Sequence, residues 1–277
     1  GVNVLPDIAK AVEDKMTEKS ITKEEVAGVG VGVPGPVDAK GIVHRCVNLG
    51  WDEFNVNDKL GQLVGMPVMA GNDANVAALG EMWKGGGAGA ENVVFVTLGT
   101  GVGGGIIIDG KIYRGSNFCG GEMGHMVINV DGIPCNCGRK GCWEKYASAT
   151  ALVSQAVEAM EGNKDSLLWK TCEGDLNKVD GKSIFDALDM GDAIAKAVVD
   201  RYLYYVSIGL ANVINALQPE AVCIGGGISG QGEKILKPIR DTVKAERYSV
   251  YADKQAAIIP AALGNYAGII GAALLDD

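Results

Sequence analysis

Three thiols stand close together in the stretch CNCGRKGC, at Cys135, Cys137 and Cys142. Thiolates are soft ligands, and a closed structural zinc site takes four cysteine or histidine donors in a tetrahedron. A fourth donor is available upstream in CGGEMGHM, where His125 is one of two histidines in the chain. One imidazole and three thiolates make a standard structural zinc shell. The Cys-x-Cys spacing is tighter than zinc loops commonly show, so free loop thiols and a satisfied buried histidine stay open as the alternative. Arg139 and Lys140 put positive charge beside the sulfurs, which favours thiolate. Two acids bracket the cluster: Glu122 before His125, and Glu144 just after Cys142. Each carboxylate can accept several hydrogen bonds, and a pair held by a rigid metal loop suits the hydroxyls of a sugar.

A second candidate is LGTGVGGG, with Gly99, Gly101 and Gly104 in a formal Gly-x-Gly-x-x-Gly pattern. The dinucleotide fingerprint requires a helix directly after it. Here GIIIDGKIY follows, which reads as a strand and a turn at Asp109-Gly110, so the dinucleotide reading is rejected. Consecutive N–H groups of a glycine hairpin can still cradle phosphate, and Thr100 adds a hydroxyl. A plain tight hairpin is the competing reading. The same pattern recurs at Gly225, Gly227 and Gly230, between a strand and a helix, and alone it is weak. The third candidate is AGNDAN, which places Asn72 and Asp73 after a strand and at a helix start. Asn and Asp are preferred helix caps. A carboxylate at the C-terminal end of an α/β strand can also face a ligand and accept a hydroxyl proton during phosphoryl transfer.

These groups need a scaffold of alternating strands and helices. Apolar residues at helical spacing mark Val4 to Lys19 as a helix. Strands are expected at Val26 to Val33, stopped by Pro34-Gly35-Pro36, and at Ile42 to Val47. VNDKLGQLVG reads as a short helix, PVMAG as a buried strand and DANVAALGEMWKG as a helix. NVVFVTL, VGGGIIID and KIY are strands, and Ser148 to about Leu217 is mostly helical. AVCIGGG (Ala221 to Gly227) is a strand, KILKPIRDTVKA a helix, AAII a last strand and NYAGIIGAALL a last helix. The alternation implies an α/β protein. Apolar strands closed by small residues, at VGVGVPGP, VFVTLGTG and AVCIGGG, suggest a duplicated α/β unit.

The 277 residues carry a net charge of −9 and are 47% hydrophobic. The acidic balance disfavours a nucleic-acid or anionic-membrane partner. No apolar run approaches the roughly 20 residues of a membrane span. The seven cysteines are odd in number and mostly isolated among apolar neighbours, which fits a reduced, cytoplasmic setting and not a disulfide scaffold.

Together VGVPGPVD, GNDANVAALGE, VTLGTGVGGGIIIDG, GGEMGHM and CNCGRKGCWE resemble the ROK family of sugar kinases and repressors, in its order and spacing over nearly the whole chain. The resemblance is closest to bacterial ATP-dependent glucokinases. It implies an actin/hexokinase-like fold, a duplicated ribonuclease H-like α/β architecture with a zinc-binding loop. It implies a small domain of residues 1–71 plus 266–277 and a large domain of residues 72–265, around a cleft. ATP with magnesium would lie across the turns at Gly99, Thr100, Gly101 and Gly103 and at Gly225, Gly226 and Gly227. Asn72, Asp73, Glu122, His125 and Glu144 match positions that hold a hexose, glucose foremost, and Asp73 matches the general base for its 6-hydroxyl. His125, Cys135, Cys137 and Cys142 match the zinc ligands. Family members are commonly homodimers or homotetramers. Other hexoses, N-acetylhexosamines and a non-catalytic sugar sensor share much of this pattern. Two departures stand out. The family's first phosphate turn, Asp-x-Gly-Gly-Thr, is absent, as in a chain shortened at its N-terminus, so weak or no turnover is expected. Trp143 stands where such glucokinases usually carry leucine, and only local repacking is expected there.

Overall fold

A computed structural model of the chain describes residues 1–44, 46 and 49–275. The elements follow the expected alternation closely. Helix α1 (Val4–Lys19) is followed by β1 (Val29–Val33), β2 (Ile42–Val43) and β3 (Phe54–Asn55), then α2 (Val56–Val64), β4 (Val68–Asn72) and α3 (Asp73–Lys84). Strands β5 (Val93–Leu98), β6 (Val102–Ile108) and β7 (Lys111–Ile112) come next. The helices α4 (Glu144–Ala147), α5 (Ala149–Glu161), α6 (Leu168–Thr171), α7 (Gly181–Asp189) and α8 (Ala193–Leu217) fill the helical stretch. The chain closes with β8 (Ala221–Gly225), α9 (Glu233–Glu246), β9 (Ala257–Pro260) and α10 (Tyr266–Ala272). Strand β1 begins three residues later than its apolar run, because only Val29–Val33 finds a partner, the parallel strand β4. The expected strand Ile42–Val47 is extended and paired at Ile42–Val43; its Arg45 and Val47 lie outside the described residues.

The chain forms two compact units. One comprises Gly1–Phe95, Gly105–Gly121 and Ala261–Asp277; the other comprises Val96–Gly104 and Glu122–Pro260. A five-stranded sheet has the order β7-β6-β5-β8-β9, and β1 and β4 form a parallel pair. In the first unit Val33, Val56, Leu60 and Val68 form a core sealed by the apolar face of α1. In the second unit α8 is the buried axis, contacting α4, α5, α7 and α9. No helix among the described residues is long and apolar enough to cross a membrane.

The units divide the chain differently from the expected boundaries of 1–71 plus 266–277 and 72–265. Helix α3 goes with the first unit because it packs along α10 and against β1. The approach is close: a β-carbon on Gly271 of α10 would sit 1.6 Å from the carbonyl oxygen of Val76. Small residues that let two backbones touch are not visible as apolar periodicity, which is why the sequence alone did not reveal this pairing.

Candidate hexose and nucleotide site

The second unit gathers the four candidate metal ligands. Donor atoms of His125, Cys135, Cys137 and Cys142 all lie within 4.8 Å of one another. Cys135 Sγ is 3.8 Å from His125 Nδ1, and Cys137 Sγ is 3.5 Å from Cys142 Sγ. With metal–sulfur bonds of about 2.3 Å, tetrahedral donors stand roughly 3.8 Å apart, so this set fits zinc. Tight backbone pairing builds the loop. Cys135 N–H donates to the Arg139 carbonyl at 2.8 Å, and Gly138 N–H donates back to Cys135 at 3.0 Å. The Tyr146 hydroxyl accepts from Ile133 N–H at 2.8 Å and braces the incoming arm. Burial pushes the Cys142 thiol up to about 12. Cys137 is held below its ordinary value, chiefly by the main-chain N–H of Arg139. The charge of Arg139 is the smallest of these influences, so the expected charge effect is real but secondary.

His125 has two faces. Its Nδ1 looks into the thiol cluster, while Nε2 lies 4.0 Å from Glu122 Oε2. A short 3₁₀ turn, Met123–His125, sets this pair on one side. Glu144 opens α4 directly after the metal loop. Its Oε2 accepts from Val102 N–H at 3.1 Å, at the start of β6. The carboxylate leaving the metal loop is therefore bonded to the glycine hairpin.

That hairpin is tied down by its carbonyls. Gly99 N–H donates to Gly101 O at 3.0 Å across the turn. Ala149 N–H, at the start of α5, donates to Gly99 O at 2.8 Å, and Thr150 Oγ1 donates to Thr100 O at 2.9 Å. Gly103 lies within β6, half-buried, and not in the turn. The second glycine turn lies against the first. Gly226 has φ +89°, and a β-carbon there would sit 2.4 Å from the Leu98 carbonyl oxygen. Gly225 ends β8 and Gly227 opens a 3₁₀ turn. Of the nucleotide candidates, Gly99, Thr100, Gly101, Gly225, Gly226 and Gly227 thus share one region of the second unit, and Gly103 is a strand residue beside it.

Asn72 and Asp73 belong to the first unit. The cap of α3 is Asn72, whose Oδ1 accepts from Asn75 N–H at 3.1 Å and whose Nδ2 donates to Gly35 O at 3.3 Å. Asp73 therefore does not serve as the cap. Its Oδ1 accepts from the adjacent Ala74 N–H, at 2.8 Å. The residue is exposed by area, yet partial burial of the carboxyl raises its pKa, outweighing the hydrogen bonds that lower it. A carboxyl made more basic and kept clear of capping duty is suited to accept a proton.

Residues 3–277 match the model of the ROK family. The chain belongs to the ROK family. A glucokinase from Halalkalibacterium halodurans is 43% identical over 98% of this chain and 82% of its own length. A ROK family glucokinase from Streptomyces griseus, solved in complex with glucose and AMPPNP, matches with a TM-score of 0.82 and 36% identity. That match covers 97% of this chain and 86% of the other. The xylose repressor of Bacillus subtilis is 29% identical over 96% of this chain and 66% of its own length. The fold is accordingly the actin/hexokinase-like α/β fold of ROK glucokinases.

Sequence reasoning missed the fasteners of this ROK site: Val102 N–H on Glu144, and Ala149 and Thr150 on the hairpin carbonyls. Bonds that end on main-chain groups leave little residue signature. One signal was available at Gly101, where a β-carbon would meet Glu144 Oε2 at 2.2 Å. Gly101→Ala should therefore expel the Glu144 carboxylate from Val102 N–H and, if Glu144 takes a sugar hydroxyl, weaken hexose binding by about tenfold through a methyl group that touches the hairpin and not the sugar. Calorimetric titration with glucose reads this; unchanged affinity would show that Glu144 does not need its anchor.

Proposed function

We propose that this chain is a glucokinase, transferring the γ-phosphoryl group of ATP to the 6-hydroxyl of glucose. The observation that carries the proposal is the two-faced His125, with Nδ1 in the thiol cluster and Nε2 toward Glu122. A metal held by His125, Cys135, Cys137 and Cys142 would fix the imidazole as a wall, not as a moving base. Zinc is structural in this reading: it holds the loop. Glu122, His125 and Glu144 take sugar hydroxyls, as does Asn72 through whichever of its amide groups the sugar meets. Asp73 accepts the proton of the 6-hydroxyl as the phosphoryl group leaves ATP. The N–H groups of the two glycine turns receive the phosphates, with the magnesium that accompanies ATP.

The glucokinase relatives and the glucose- and AMPPNP-bound neighbour support glucose and ATP as substrates. The second reading is a sugar sensor, favoured by the likeness to a xylose repressor. A sensor has no use for a basic carboxyl at Asp73, which favours the kinase. Calorimetry with glucose, mannose, N-acetylglucosamine and xylose, followed by a coupled assay with ATP, separates these readings. Glucose should bind best and yield a phosphorylated product. Tight xylose binding with no product from any sugar would favour the sensor, and binding of none of the four sugars would sink both.

A further inference from the structure

We infer that Trp143, seated in a notch made by Gly209, is a positioning residue that aims Glu144 at the hexose; this rests on the sugar-binding role proposed for Glu144. Sequence alone predicted only local repacking at Trp143. Its surroundings are more specific than that. Trp143 is fully buried between Cys142 and Glu144. Its main-chain N–H donates to Met126 O at 2.7 Å, so it grips the residue after His125. Its indole Nε1–H donates to the Tyr205 carbonyl on α8 at 2.9 Å. Its own carbonyl accepts from Tyr146 N–H and Ala147 N–H, at 2.9 and 3.0 Å, which starts α4 and sets the direction in which Glu144 leaves it. One residue thus joins both arms of the metal loop, the central helix of its unit and the carboxylate.

Gly209 is the other half of the lock. It lies in the interior of α8, four residues after Tyr205 and on the same face. Glycine weakens a helix interior relative to alanine, so its presence there requires a reason. The reason is space: a β-carbon at Gly209 would stand 2.0 Å from Trp143 Cε2 and 2.3 Å from Cδ2 and Nε1. Any side chain at 209 must push the indole out of its seat and break the bond to Tyr205. The pair makes a specific demand, that the two positions be coupled and that their coupling be read in hexose binding.

The test is a double-mutant cycle on the whole chain, with variants compared at a temperature where all are folded. Gly209→Ala is expected to raise the dissociation constant for glucose by about tenfold or more in the Trp143 background. In the Trp143→Leu background, where the indole is gone, the same substitution should change it by less than about twofold. Hydrogen exchange of the amides in residues 126–145 should quicken with Gly209→Ala only when Trp143 is present. Equal effects of Gly209→Ala in both backgrounds, or wild-type glucose affinity in every variant, would overturn the inference. Should Gly209→Ala not yield soluble protein, Trp143→Phe removes the indole N–H while keeping an aromatic ring. It is expected to weaken glucose binding and quicken exchange at 126–145, and no change in either overturns the inference as well. A wild-type chain that binds no hexose would defeat the functional reading instead, and the exchange pattern would still decide whether the lock exists.

Discussion

Asp73→Asn is expected to reduce kcat by about 10²- to 10⁴-fold while the dissociation constant for glucose stays within about tenfold of wild type. The substitution keeps size and hydrogen-bonding capacity and removes only the ability to take a proton. Helix α3 keeps its cap, since Asn72 and not Asp73 accepts from Asn75 N–H. The melting temperature should therefore move by no more than a few degrees. The wild-type activity should also carry the signature of the group. Partial burial raises the Asp73 pKa above its ordinary 3.8, so the base form is lost as pH falls through a value higher than that of an ordinary aspartate. The acid limb of kcat should sit there and vanish in Asp73→Asn. The stability consequence has the opposite sign from that of a salt-bridged acid. A carboxyl raised in the folded state binds its proton more tightly folded than unfolded, so its contribution is complete below the unfolded value and is lost as pH rises through the folded one. Turnover within about tenfold of wild type would show that Asp73 merely begins a helix.

Much of this was legible in the sequence because it resides in side-chain identity. The ends of α1 match its apolar periodicity, and β4, α3, β5 and β6 fall within a residue or so of their expected ranges. The imidazole and three thiols singled out as candidate metal donors lie together. What was not legible resides in backbone contacts. Only the structure shows that α3 joins the first unit through glycine and alanine contacts with α10, that Val102 N–H holds Glu144, or that Gly103 sits in a strand. Trp143 marks the border between the two cases. Its identity was visible and unusual, yet its role depends on the absence of a side chain at Gly209, far along the chain. A residue that matters because it leaves room gives no pattern of its own.

Stripping the metal should weaken glucose binding by about ten- to a hundredfold and lower the melting temperature. Without a metal nothing fixes Nδ1 of His125, and Nε2 loses the orientation that places it beside Glu122. Backbone bonds and Trp143 hold the arms of the loop, and the ion would tie its four side-chain donors to one point. Cys135 and Cys142 are buried and Cys137 is exposed. Structural zinc contributes its binding free energy directly to folding, so the loop should loosen when the ion leaves. The effect should reach Glu144, which begins α4 two residues after the Cys142 ligand. His125→Ala separates the two roles of the imidazole: it should lose metal affinity and glucose affinity together, whereas Glu122→Gln should weaken glucose alone and keep the metal. Because ligation requires thiolates, metal uptake should release protons, and affinity for zinc should fall as the solution is made acidic. Metal analysis of protein purified without chelator is expected to find one zinc per chain. Finding none, or finding full glucose affinity after chelation, would remove zinc from the account and leave the four donors as a cluster of free thiols beside a histidine.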